Sequence, residues 1–187
     1  EEQLYRADHY LAKQMLRNIP HLRFGSAHPL LEARWNKDHI ASIRIRTWEP
    51  LGLEARGAFY DALGTLRDVG QNHLLEMLAL VTMEEPPERG AKSAHEERAA
   101  TIAKLRPFTE EDIAKHTYRA QYAGYRAIEG VAPNSTTETY YALKAFLDTP
   151  RFEEVPILME AGKRMAGWRT EIVVSFKEGD EVVFRMR

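Results

Sequence analysis

The sequence predicts an α+β protein: a largely antiparallel sheet of at least four strands, helices packed mainly on one face, and a long buried helix over about residues 58–83. Three features carry that expectation. Residues 40–48 alternate isoleucine with polar or charged neighbours, the period of a strand with one covered face, and the pattern returns at 155–161, 170–178 and 181–187. Glu178-Gly179-Asp180, between the last two runs, has the length and composition of a hairpin connection, which implies antiparallel pairing. Strand-like and helix-like stretches are segregated along the chain and do not alternate as βαβ units.

Taken in order, residues 1–19 read as a helix broken at Pro20, and residues 21–36 are irregular, punctuated by Gly25 and Pro29. After the first strand comes a loop over residues 52–57. From about Ala58 a helix runs to Met83, where Glu84-Glu85-Pro86-Pro87 stops it, and Gly64 is a candidate break. Leu66, Val69, Leu74, Leu75, Met77 and Leu78 cover almost its whole circumference, so it is a buried helix. Residues 94–105 form an exposed helix ended by Pro107, and Thr109 with three acidic residues starts a short one to about Lys115. Residues 117–134 have no period and read as a long contact loop. Ser135-Thr136-Thr137-Glu138 reads as a capping box opening a helix from Thr137 to about Asp148.

The 187 residues, 44% hydrophobic and 29% charged, suffice for a single domain over 1–187 with a full core, and both ends fall inside element-like sequence, as if cut. No apolar run has the length needed to cross a bilayer, and the absence of cysteine removes disulfides, thiolate metal sites and a cysteine nucleophile together. A cytoplasmic location is the expectation. A net charge of −2 offers no broad basic field for nucleic acid or an anionic membrane. The histidines never take metal-ligand spacing, and the glycines never form a phosphate-cradling loop that opens a helix.

Polar, titratable side chains inside the long apolar helix are the first candidates. His73 lies among leucine, valine and methionine, and a buried imidazole without a partner costs a few kcal/mol, so it is either a satisfied core histidine or a functional group. Gly70, three residues earlier and on the same side of an α-helix, is expected to leave room for a ligand beside the imidazole. Asp68 points about 140° away and is expected to serve another partner. In the first helix, His9, Tyr10 and Lys13 share one arc, so two potential cations and a phenol can converge on a small anion; a solvated face is the alternative. Asp8 points to the other side of His9, where it could orient a second group. Glu49 sits at a strand end, as a sugar-hydroxyl ligand or as a solvated edge residue, and Lys163 places a flexible ammonium at another strand end, where an ordinary surface lysine is the alternative.

These segments together resemble the glucose-6-phosphate dehydrogenase family. The family run R-I-D-H-Y-L-G-K-E corresponds to Arg6-Ala7-Asp8-His9-Tyr10-Leu11-Ala12-Lys13-Gln14, its W-N and E-P elements to Trp35-Asn36 and Glu49-Pro50, and its R-G-x-Y-D-x-x-G-x-x-R-D-x-x-Q-N-H-L-L-Q to Arg56 through Glu76. Gln121-Tyr122, Ser135 to Thr139, Val155-Pro156 and Gly162-Lys163 follow in the family's order. Glu160 and Trp168 depart from it, standing where many members carry basic residues.

The resemblance implies the substrate-binding and general-base portion of an NADP-dependent oxidoreductase, with NAD as the other possible coenzyme. In that family glucose 6-phosphate is oxidised at C1 to the 6-phosphogluconolactone, in the pentose phosphate pathway. It implies His73 as general base, Asp8 as its partner, His9, Tyr10 and Lys13 as phosphate ligands, and Glu49, Asp68 and Lys163 as further substrate ligands. It also implies a homodimer or homotetramer formed through the sheet. The family's coenzyme domain precedes the Asp8-His9-Tyr10 helix and is not in this sequence, so the chain alone is expected not to reduce NADP. The competing reading is a non-catalytic sugar-phosphate-binding or oligomerisation module of the same fold.

Overall fold

The computed structural model describes residues 9–10, 12–26, 29–88 and 90–186; Asp8 lies outside them. Alternation in the first strand, β1 (Ile40–Glu49), buries Ile43, Ile45 and Thr47 on one face and leaves Arg44, Arg46 and Trp48 half-buried on the other. Five further strands follow: β2 (Thr117–Ala120), β3 (Tyr140–Ala145), β4 (Ile157–Lys163), β5 (Arg169–Phe176) and β6 (Glu181–Met186). Among the described residues all six form one sheet, in the order β2-β3-β4-β1-β5-β6. The α+β, largely antiparallel class holds. One pair departs from it: β1 and β4 are parallel, which brings Glu49 opposite Lys163. The hairpin falls where expected, with Gly179 at φ +97° supplying the left-handed turn.

The helices are α1 (Gln14–Phe24), α2 (Pro29–Ala33), α3 (Gly57–Asp61), α4 (Leu75–Thr82), α5 (Ala91–Ile102) and α6 (Glu110–His116). A π-helical segment, Leu66–Leu74, runs directly into α4. The expected long helix therefore occupies its span, but it is broken at Gly64 (φ +75°) and its middle is wound more loosely, with each amide bonding five residues back. Ile43, Ile45, Ile172 and Val174 from the sheet pack with Leu74 and Leu78 in the main core, each such side chain contributing about 1.5–3 kcal/mol. A smaller cluster of Leu53, Tyr60, Tyr125 and Val131 sits apart.

The far end of α4 is tied down by side chains. Trp35 Nε1 donates to the Val81 carbonyl at 2.7 Å, and the fully buried Arg23 donates to the Met83 carbonyl at 2.8 Å and to both carboxylate oxygens of Glu32. These bonds satisfy carbonyls that a helix end leaves open.

Several expectations are corrected. The first helix begins at Gln14 and passes through Pro20; burial of Leu16, Ile19 and Arg23 along one stripe outweighs the proline penalty of about 3 kcal/mol. Residues 137–148 are not helical. Ser135, Thr137 and Glu138 do cap backbone, but elsewhere: Glu138 Oε1 accepts from Leu66 N at 2.9 Å and Thr137 Oγ1 donates to the Asp61 carbonyl at 2.7 Å. The aromatic run Tyr140-Tyr141 beyond them is thereby free to enter the sheet as β3. The supposed loop 117–134 begins with β2, and Asp61 holds its far end by accepting from Tyr125 Oη at 2.6 Å and Ala132 N at 3.1 Å. At Thr109 the capping box is present, with Asp112 as its second member.

Candidate functional site

The sequence-predicted residues fall into two groups, joined by the π segment. In the first, the His73 imidazole stacks on the Tyr10 ring, centroids 4.0 Å apart and planes 12° from parallel. His9 meets both rings edge-on, at 4.7 Å from His73 and 4.9 Å from Tyr10. Lys13 Nζ lies 4.4 Å from the Tyr10 centroid, within cation–π range. His9, Tyr10 and Lys13 thus converge as the spacing predicts, although on a turn and not on a helix: Lys13 N donates to the Tyr10 carbonyl at 2.9 Å. Tyr10 is buried, His73 half-buried and His9 exposed, so the cluster opens to solvent on its cationic side. The expected partnership of Asp8 with His73 lies outside the described residues.

In the second group, Lys163 Nζ donates to Glu49 Oε2 at 2.6 Å, with the lysine side chain 4% exposed and the glutamate 22%. The parallel register of β1 and β4 creates this pair, because both strands end at the same edge of the sheet. Lys163 Nζ also sits 5.8 Å above the Tyr60 ring. Burial pushes the Tyr60 phenol well above its ordinary pKa; its hydrogen bond with Thr65 opposes the rise, and the Asp68 and Glu138 carboxylates add to it. Asp68 therefore belongs to the electrostatic surroundings of Tyr60, and through it to those of Lys163.

π winding links the groups. Residues five apart diverge by about 140° in an α-helix, but i→i+5 bonding takes about 4.4 residues per turn and leaves them within about 50° of each other. In the fold Asp68 and His73 keep separate partners, as the sequence predicts: Asp68 acts on Tyr60 and His73 stacks on Tyr10. The same winding turns Gly70 away from His73. Its room is not open to a ligand: the Tyr141 phenol lies where a Cβ would stand. Tyr60 and Tyr141 are neighbours of the site that the sequence does not single out; the Tyr60-Asp61 pair inside the matched family run was the available signal for the first, and Tyr141 carried none.

Chemically, an imidazole stacked on a phenol beside a lysine ammonium and a second imidazole can bind an anion and accept a proton within one cluster. A carboxylate–ammonium pair one segment away adds an acceptor and a donor for hydroxyl groups. Among the described residues no three histidine or carboxylate side chains are grouped to hold a metal ion, and no helix is long and apolar enough to cross a membrane.

The relatives are sugar-phosphate oxidoreductases. The chain is 40% identical over 190 residues to the glucose-6-phosphate 1-dehydrogenase of Chlamydia muridarum, covering 98% of this chain and 37% of the relative. It is 41% identical over 194 residues to that of Gluconobacter oxydans, covering 98% and 39%. A solved glucose-6-phosphate dehydrogenase in complex with its substrate glucose-6-phosphate superposes with a TM-score of 0.89 at 33% identity, covering 98% of this chain and 40% of that one. The Mycobacterium avium glucose-6-phosphate 1-dehydrogenase gives 0.88 at 37%. The family model described as glucose-6-phosphate dehydrogenase, C-terminal domain, matches residues 21–187. The chain belongs to the glucose-6-phosphate dehydrogenase family and spans about two fifths of the length of the relatives it matches.

Proposed function

We propose that this chain supplies the substrate-binding and general-base half of a glucose-6-phosphate 1-dehydrogenase. The observation that carries the reading is the stack of His73 on Tyr10, with His9 and Lys13 around it, in a chain of this family. His73 takes the proton from the C1 hydroxyl as the hydride leaves C1, Asp8 orients the imidazole, and His9, Tyr10 and Lys13 hold the 6-phosphate. Glu49, Asp68 and Lys163 take the sugar hydroxyls; the Glu49–Lys163 pair loosens to do so, since both partners are already engaged with each other. A dinucleotide coenzyme, NADP by family resemblance, would accept the hydride. The described residues do not fit such a group: the one parallel strand pair, β1 with β4, is not joined by a Gly-rich turn into a helix, and the glycines at 64 and 70 press against Glu138 and Tyr141.

Isothermal titration of the chain with glucose 6-phosphate and with glucose tests the anion site. The phosphate ester binds at least tenfold more tightly, and Lys13→Ala removes most of that difference, as loss of a charge-assisted contact implies. Equal binding of the two sugars would sink the reading. In a longer polypeptide that also holds the coenzyme domain, His73→Asn lowers kcat by about 10²–10⁴ with little change in sugar-phosphate affinity.

We also infer that the open face of the sheet meets a second copy of the chain, as a homodimer or within a homotetramer. Arg46 lies between Glu160 (3.8 Å) and Glu171, while Glu171 also accepts from Arg185 at 3.0 Å, so charges alternate across four strands. Exposed Tyr118 and Val183 stand on the same face. Sedimentation velocity of Val183→Asp checks this: the variant sediments as a monomer, whereas a wild-type monomer at every concentration would count against the interface.

A further inference from the structure

One buried group stands outside the proposed chemistry. Tyr141 belongs to β3, pairs in register with Ala161, and is 2% exposed. Its hydroxyl is buried and has no hydrogen-bond partner among the described residues, although a buried hydroxyl normally finds one. What the phenol does have is a steric partner. A Cβ built on Gly70 would overlap Tyr141 Oη and come within 2.9 Å of Cζ, with Leu66 Cδ1 at 3.2 Å. Those atoms are the end of a rigid ring anchored in the sheet, and the ring cannot swing aside without opening the core.

Gly70 is the middle of the π segment. Its carbonyl accepts from Leu75 N, five residues on, and this bond closes the last π turn before α-helical winding resumes. A knob seated on that residue therefore acts where the winding is decided. π winding in turn sets the direction of His73, because each extra residue per turn rotates every later side chain about the axis.

We propose that Tyr141 is a positioning residue for His73: its phenol, seated in the notch left by Gly70, fixes the π winding of residues 66–74 and with it the direction of the imidazole. The unpartnered hydroxyl fits this role, since shape and not hydrogen bonding holds it in place. The functional consequence rests on the reading of His73 as a base; the geometric claim does not.

The test uses the isotope-labelled 187-residue chain, with the His73 ring resonances as reporter, because stacking on Tyr10 shifts them upfield. Gly70→Ala and Tyr141→Ala each abolish most of that shift and leave glucose 6-phosphate affinity within about threefold, because the imidazole is misdirected and the phosphate ligands are not. The double variant Gly70→Ala/Tyr141→Ala is no less stable than Tyr141→Ala alone, because the clash that Gly70→Ala introduces needs the ring. Tyr141→Phe keeps the ring and leaves resonances and binding near wild type. If Gly70→Ala fails to fold, recovery of folding by adding Tyr141→Ala supports the interlock and continued failure overturns it. Unmoved His73 resonances in either single variant also overturn it. A wild-type chain that does not bind glucose 6-phosphate refutes the sugar-phosphate reading instead, and the resonances still decide the interlock.

Discussion

Replacing Glu49 by glutamine removes the carboxylate from an ammonium that has almost no other contact with water. The Lys163 side chain is 4% exposed and its 2.6 Å bond to Glu49 is its one hydrogen bond among the described residues. Breaking a fully buried ion pair costs about 3–5 kcal/mol, mostly because the surviving charge is stranded. Glu49 is 22% exposed, so water reaches part of the pair and the expected loss is smaller, about 2–4 kcal/mol. For a chain of this size each kcal/mol moves Tm by about 2–4 °C, which gives a drop of about 4–16 °C. The double variant Glu49→Leu/Lys163→Met separates stranded charge from lost attraction. Both charges are then gone, and at least half of the lost stability returns. Thermal unfolding followed by circular dichroism, with calorimetry to check two-state behaviour, measures both. A double variant as unstable as the sum of its single variants would refute the account, because the pair would then be stabilising in itself.

Two further perturbations follow from the geometry. Gly64→Ala forces a side chain into φ +75° and places its Cβ 2.5 Å from Glu138 Oε1, the acceptor that caps Leu66; urea denaturation should show a loss of about 2–4 kcal/mol, and a change under about 0.5 would contradict the strain. At alkaline pH four phenols act together: burial, the leading cause in each, raises Tyr60, Tyr125, Tyr140 and Tyr141, with Tyr140 pushed up to about 12, aided by its bond to Glu160. Folded pKa values above the unfolded one mean that their stabilisation is complete below about pH 10 and is lost as the pH climbs above it. Burial also lowers the Arg23 pKa, but its bonds to Glu32 and to the Met83 carbonyl keep the guanidinium charged, so it does not offset the phenols. The tyrosinate absorbance of these four should therefore rise together with unfolding; ionisation of all eight tyrosines near pH 10 in a still-folded chain would contradict their burial.

Local rules made much of the fold legible. Period-two alternation located β1, β5 and β6, and the Thr109 signature located α6, because in each case the residues that form the pattern also make the contacts. The failures share a cause. Ser135 to Glu138 is a true capping sequence whose clients are Asp61 and Leu66, some seventy residues earlier, so the motif was right and its range was not. Pro20 is tolerated because the stripe through Leu16, Ile19 and Arg23 is buried, which no local propensity records. At the site, the nearness of His9 and Lys13 to Tyr10 was readable from spacing, but the stacking of His73 on Tyr10 and its contact with His9 were not. The π winding was not, because it depends on Tyr141 and Gly70 touching across the fold.

Parallel pairing of β1 with β4 carries a kinetic consequence. Glu49 and Lys163 are 114 residues apart, and closing so long a segment before any contact rewards it makes this the slowest kind of pairing to form. β4 joins β1 on one side while β5 covers the other, so the ion pair cannot exist until the centre of the sheet is complete. A partly folded chain consequently lacks the Glu49–Lys163 half of the site altogether. Formation of the Glu49–Lys163 pair is thus a late event, and it reports that β1 and β4 have met in register.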